Sequence, residues 1–309
     1  MHPAFSVIVF TTATGAGYGM LTMLGALALF GRLPAEASFG LVALGIALAL
    51  ITGGLLSSTL HLGRPERAWR ALSQWRSSWL SREGIASVVT YVPAAVFGIT
   101  WIVLQPTEPI VAATGAVSAL CALATLVSTG MIYASLKPIP QWHSLYTVPG
   151  YLLYALMSGA ILLHAILRVS GQPAATLAWT ALVLTGVGWA WKTATWRHND
   201  ALADPVTAGS ATGLGDGAVR SIEWPHTEAN YVMKEMGYRV ARKHAVKLRA
   251  FVHMLAFAIP LAFTALALGS IAAPIAAVLA VLAQGLGLLI ERWLFFAEAR
   301  HVVGLYYGR

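Results

Sequence analysis

Eight stretches of the chain, at residues 5–31, 36–61, 84–105, 109–136, 148–168, 175–195, 248–268 and 271–297, are long and apolar enough to cross a bilayer. A helix needs about 20 such residues to do so. In lipid every backbone N–H and C=O must find its partner within the segment, so runs of this kind fold as transmembrane helices. The expected fold is therefore all-α: a polytopic integral membrane protein with eight transmembrane helices in a bundle. It forms one membrane domain over residues 1–309, with an excursion at about 196–247. Composition agrees, since 10% of residues are charged against roughly 25% in a soluble domain. Gly15, Gly17 and Gly19 in the first run and Gly53 and Gly54 in the second are residues that let membrane helices approach closely.

Eight spans put both termini on one side, with the connections 62–83, 137–147 and 196–247. Of the 20 Lys and Arg residues, Arg32 and Arg168 alone fall on the other side, a split of eighteen to two. Leaving out 192–249 keeps nine against two. Basic residues mark the cytoplasmic side, so both termini and the 62–83 connection are predicted to be cytoplasmic. This use of the basic residues also accounts for the formal charge of +8 without a nucleic-acid partner, and none is expected. The opposite face carries only short links, near Arg32–Ala35, Gln105–Pro109, Gly171–Pro173 and Gly269–Ser270. A partner therefore docks on the cytoplasmic face.

The single cysteine, Cys121, can form no intrachain disulfide, and an iron–sulfur cluster takes about four thiolates. No metal site is expected in this chain. The N-terminal MHPAFSVIVF has no Lys or Arg before its apolar run, unlike a cleaved secretory signal, so the first run reads as a retained helix. A haem relay across the membrane needs histidine pairs at two depths. His61 and His253 both lie near the cytoplasmic edge and His164 toward the other, so haem is not expected.

The densest charge lies in 58–84, STLHLGRPERAWRALSQWRSSWLSREG. Gly63 and Pro65 stop the second helix, and His61 sits in its last turn. A histidine there suits the helix dipole, and it is also a group that titrates near neutrality. Glu83 begins the third span, where Ser81 can cap the helix and an acid gains from the dipole. An acid at membrane depth is also a candidate proton relay. Trp69, Trp75 and Trp79 among Arg64, Arg67, Arg70, Arg76 and Arg82 suit an interfacial helix with snorkelling arginines. In KPIPQWHSLYTVPGY (137–151), Trp142 either walls a pocket or anchors the interface. Residues 228–249 read as a basic amphipathic helix bearing Arg239 and Arg242, suited to anionic headgroups or to a protein partner.

At HLGRPERAWRALSQWRSSWLSREG the chain resembles the membrane-anchor subunits of dimethyl-sulfoxide-reductase-type molybdoenzymes. Further matching stretches are HPAFSVIVFTTATGAGYG near the N-terminus, YASLKPIPQWHSLYTVPG (133–150) and LLIERWLFF (288–296). The 199–249 segment matches less well. The resemblance implies a chain with no redox centre of its own, bound to a molybdopterin catalytic subunit. It also implies direct contact with a four-cluster iron–sulfur subunit and electron exchange with ubiquinone or menaquinone near the last cluster. Carried over by motif, His61 is the quinone-site histidine and Glu83 the functional glutamate. Arg64 and Trp142 complete the expected quinone site. Arg67, Arg70, Arg76, Arg82, Arg239 and Arg242 are the expected docking surface. With the HLGRP side cytoplasmic, the chain looks most like the anchor of a cytoplasm-facing sulfite dehydrogenase in a bacterial inner membrane.

The expected chemistry is quinone reduction, with His61 hydrogen-bonding and protonating a carbonyl, Glu83 relaying protons from the cytosol and Arg64 stabilising negative charge. The alternative within the class is a reductase anchor running quinol oxidation. Outside it stand a small-solute transporter, which wants polar groups near the midplane where this chain has mostly Ala, Leu, Val, Gly and Ile, and a purely structural anchor.

Overall fold

The computed structural model describes residues 5–60, 62, 64–104, 107–203, 206–215, 219–220, 222–223, 239–269 and 272–303, the side chains of 239–242 excepted. His61 and Gly63 lie outside the described residues, as do Tyr231, Val232 and Met236 of the amphipathic segment.

Among the described residues the architecture is all-helical. The helices are α1 (Phe5–Leu29), α2 (Ala37–Thr59), α3 (Trp79–Val103), α4 (Pro109–Ala134), α5 (Thr147–Val169), α6 (Ala175–Ala201), the short α7 (Ala208–Thr212), α8 (Arg239–Val252), α9 (Ile259–Gly269) and α10 (Ala273–Ala297). One π-helical segment, His253–Ala258, joins α8 to α9, so that Lys243–Gly269 is one continuous apolar rod. Seven helices are long and apolar enough to cross a membrane. The long helix outside that set is α6, whose second half, AWKTATWRHNDA, carries Lys192 and Arg197.

The boundaries have local causes. Gly31 (φ 61°) and Gly171 (φ 68°) take the left-handed conformation that ends α1 and α5. The next amides, of Arg32 and Gln172, bond back to Leu27 and Leu167 at 2.8 and 2.9 Å, which satisfies carbonyls the helix leaves open. Pro109 opens α4, where its missing N–H costs nothing. Between α2 and α3, Pro65–Gln74 forms a 3₁₀ helix with no buried residue.

Helix α1 is the hub and packs on α2, α4, α5 and α10. Its glycines make that possible. A Cβ at Gly19 would overlap the Ala155 carbonyl, and one at Gly159 would overlap the backbone of Gly19 and Met20. Gly17 approaches Ala47 and Ile51, and Gly54 approaches Thr14. Backbones this close gain dispersion contacts where lipid offers no hydrophobic drive. Among the described residues a Cβ at Gly53 would meet nothing.

Candidate functional site

Helix α3 starts at Trp79, earlier than the 84 expected from hydropathy. Its N-cap is Ser78, which accepts from the Ser81 amide at 3.5 Å. Ser81 is therefore inside the helix, and its hydroxyl donates to the Ala71 carbonyl of the 3₁₀ segment. This corrects the expectation that Ser81 caps the helix and that Glu83 sits in the first turn. The helix begins sooner because the tryptophan and arginine turn at its foot is itself helical. Arg82 fastens that turn, donating to the Trp75 and Arg76 carbonyls at 2.9 and 2.8 Å and lying over the Trp79 ring.

Glu83 consequently sits a turn deeper than a dipole-stabilised acid needs to. It is 5% exposed and accepts a 2.6 Å hydrogen bond from Thr129 Oγ1 of α4. Tyr18 of α1 and Ser87, one turn on in α3, lie beside it with their hydroxyls facing each other, and neither has another hydrogen-bond partner among the described residues. Leu80 and Val88, on the same helix, face outward.

Of the remaining expected residues, Arg64 is exposed where the 3₁₀ helix begins. Arg67, Arg70 and Arg76 are exposed, with Arg70 and Arg76 over Trp69 and Trp75. Trp142 is buried, stacks on Phe295 and donates its indole N–H to the Phe295 carbonyl at 3.0 Å. His164 is fully buried in α5, accepting from Arg168 at 3.4 Å, and His253 accepts from Trp189 at 2.7 Å. No cluster of three or more His, Cys, Asp or Glu lies together among the described residues.

Sequence reasoning missed a buried ionic cluster. Lys192 of α6 pairs with Glu291 of α10, and Arg292 Nε pairs with the other oxygen of Glu291 at 2.5 Å. All three are buried, Glu291 at 0% exposure. Arg292 also lies over the rings of Tyr151, Tyr154 and Phe295. The topology count treated Lys192 and Arg292 as cytoplasmic cations. The structure places them inside the bundle instead, because the Glu291 carboxylate is there to be neutralised. Sixteen against two remain, which leaves the direction of the bias intact. The signal that could have found the cluster was Glu291 itself, an acid within LLIERWLFF, which must be paired at that depth.

Toward the surface, Arg249 holds Asp200 in a two-pronged pair at 2.6 and 2.8 Å and Glu298 at 2.8 Å. The Arg249 hydrogen bond holds the Asp200 carboxyl below its ordinary 3.8.

The described residues thus form a bundle of long apolar helices that holds a buried acid, Glu83, and an internal Lys192–Glu291–Arg292 cluster, the build of a polytopic membrane protein. The chain belongs to the DMSO reductase anchor subunit (DmsC) family, whose model matches residues 1–308. It is 39% identical to the C subunit of the sulfite dehydrogenase of Allochromatium vinosum, over 99% of both sequences. It is 32% identical to the C polypeptide of the anaerobic dimethyl sulfoxide reductase of Escherichia coli K12, over 55% of this chain and 58% of that one. The YnfH polypeptide of an anaerobic dimethyl sulfoxide reductase of the same organism is 32% identical over 38% of this chain and 41% of its own length.

Proposed function

We propose that the chain is the quinone-reactive anchor of a molybdopterin and iron–sulfur complex that oxidises sulfite to sulfate. Support for the substrate is the full-length similarity to the C subunit of a sulfite dehydrogenase, against partial similarity to dimethyl sulfoxide reductase polypeptides. Helix α6 serves as an eighth span, packed on α5 and α9 with its lysine neutralised internally. Both termini face the cytoplasm of an inner membrane, and the catalytic partners dock there.

The observation that carries the reading is Glu83, a buried acid held by Thr129 beside the Tyr18 and Ser87 hydroxyls, which face each other. That set fits a quinone headgroup: hydrogen-bonding groups for its carbonyls, and the apolar faces of Leu80 and Val88 toward lipid. A bound quinone supplies a two-electron, two-proton acceptor. His61 hydrogen-bonds a carbonyl oxygen and gives it one proton. Glu83 replenishes protons at that oxygen. Arg64, at the foot of the site, favours negative charge there. Trp142 braces the site from the neighbouring aromatic cluster. Arg67, Arg70, Arg76 and Arg82, with Arg239 and Arg242, form the floor on which the four-cluster iron–sulfur subunit rests. The chain contributes no metal.

Isolation of the intact complex tests this. The expected result is co-purification of a molybdenum subunit and an iron–sulfur subunit, neither with an export signal, and sulfite-dependent quinone reduction lost in His61→Ala. Wild-type turnover in an intact His61→Ala complex removes that residue from the site, and an export signal on the large subunit overturns the cytoplasmic orientation.

A further inference from the structure

Among the described residues, the foot of α3 next to Glu83 is covered. The 3₁₀ segment lies across the foot of α3, tied down through Ser81 and Arg82, and Leu72 packs against Gly84. An acid that gives up protons repeatedly needs another way to regain them.

The polar groups leading away from Glu83 run inward. Thr129, its hydrogen-bond partner, lines a cavity of about 20 Å³ together with Thr11, Thr12, Ser158, Tyr151 and Arg292. A second cavity of about 30 Å³ is lined by Gln141, Tyr151, Lys192, Asn199, Arg292 and Glu298. Each has room for about one or two waters, and each carries orphaned polar atoms that call for them. Thr12 Oγ1 and Asn199 Oδ1 have no hydrogen-bond partner among the described residues, and the Tyr151 hydroxyl lies beside Arg292 and Tyr133. Tyr151, Tyr154 and Arg292 line both cavities, and of the two tyrosines Tyr151 has its ring nearer the Arg292 guanidinium. Glu298, at the outer end, joins Arg249 and through it the exposed Asp200.

We propose that protons reach Glu83 from the α6–α10 rim through the bundle interior, by two small hydrated cavities that meet at the Tyr151 hydroxyl, with Thr129 as the last link. Glu298, which lines the outer cavity, marks the entry at the rim. Water in the outer cavity passes protons to the Tyr151 hydroxyl, which accepts one proton as it releases its own to water in the inner cavity. Thr129 repeats the exchange toward Glu83. Lys192, Glu291 and Arg292 do not carry the proton. They form a fixed cluster with one net positive charge, and Arg292 holds the Tyr151 ring from its face. The route rests on the reading of Glu83 as a proton donor.

The test is hydrogen–deuterium exchange of the Glu83 carboxyl in the intact complex at mildly acidic pH. It is followed by the infrared carboxyl stretch after transfer to D2O, with the band assigned by its loss in Glu83→Gln. Tyr151→Phe keeps the ring and its contact with Arg292 but removes the hydroxyl. Thr129→Val removes the last link and Thr129→Ser restores it. The expected result is at least about tenfold slower exchange in Tyr151→Phe and Thr129→Val, with wild-type exchange in Thr129→Ser, in line with the factors that positioned proton carriers supply. Wild-type exchange in both Tyr151→Phe and Thr129→Val overturns the route. Should Tyr151→Phe fail to assemble, the Val and Ser pair at Thr129 decides alone. Turnover of Glu83→Gln separately judges the underlying reading, since normal turnover there removes the proton-donor role whatever the exchange shows.

Discussion

Lys192 and Glu291, 99 residues apart in sequence, meet as a buried ion pair that ties α6 to α10. Arg292 takes the second carboxylate oxygen. One acid thus serves two cations, and the consequences of removing each member differ.

Glu291→Gln leaves Lys192 and Arg292 facing one another without an anion. Breaking a buried pair in this way costs about 3–5 kcal/mol, so the variant is expected to assemble poorly and to melt early in detergent. Lys192→Met leaves the Glu291–Arg292 pair intact and is expected to cost less. Thermal unfolding of the two purified variants checks the order. A Glu291→Gln protein as stable as wild type contradicts the neutralising role.

The α1–α5 contact gives a second prediction. Gly159→Ala places a methyl in the backbone of Gly19 and Met20, and overpacking of this kind costs about 1–3 kcal/mol. Gly53→Ala meets no neighbouring atom and removes a flexible residue from a helix, a gain of roughly 0.5–1 kcal/mol. Folded yield and melting temperature should move in opposite directions for the two substitutions.

Asp200 supplies a pH dependence. Its carboxyl titrates below 3.8 in the folded protein because Arg249 hydrogen-bonds it. The stabilisation it gives is therefore present in full above its unfolded value and fades as pH falls through the lower, folded one. Asp200 is more than half exposed, so the effect is small. Melting curves of wild type and Asp200→Asn should differ near neutral pH and converge in strong acid. A gap that widens in acid contradicts the pairing.

Much of this architecture is legible in the sequence because lipid leaves the backbone few options. Seven of the eight apolar runs recur as helices that qualify as spans, and the eighth, at 175–195, recurs as helix α6. The small-residue contacts at Gly17, Gly19 and Gly54 were legible for the same reason, whereas Gly53 had the same sequence signal and no contact. The start of α3 was misplaced because hydropathy falls where arginines begin, yet Ser78 can cap a helix whether its first turn is apolar or basic. Glu83 was visible as an acid at a span's edge, but its partner Thr129 lies 46 residues away. The Lys192–Glu291–Arg292 cluster was hidden for a different reason. Counting charges by loop assigns each cation to a surface, and only the three-dimensional packing shows which of them answer a buried acid.

The central claim, that Glu83 supplies protons to a quinone held by this chain, is tested most directly by steady-state turnover of the intact complex with a water-soluble quinone analogue. In Glu83→Gln the account predicts a fall in kcat of about 10²-fold or more, with KM for the analogue little changed and with the partner subunits and their metals retained at wild-type stoichiometry. A Glu83→Gln complex of normal composition that turns over at the wild-type rate would contradict it.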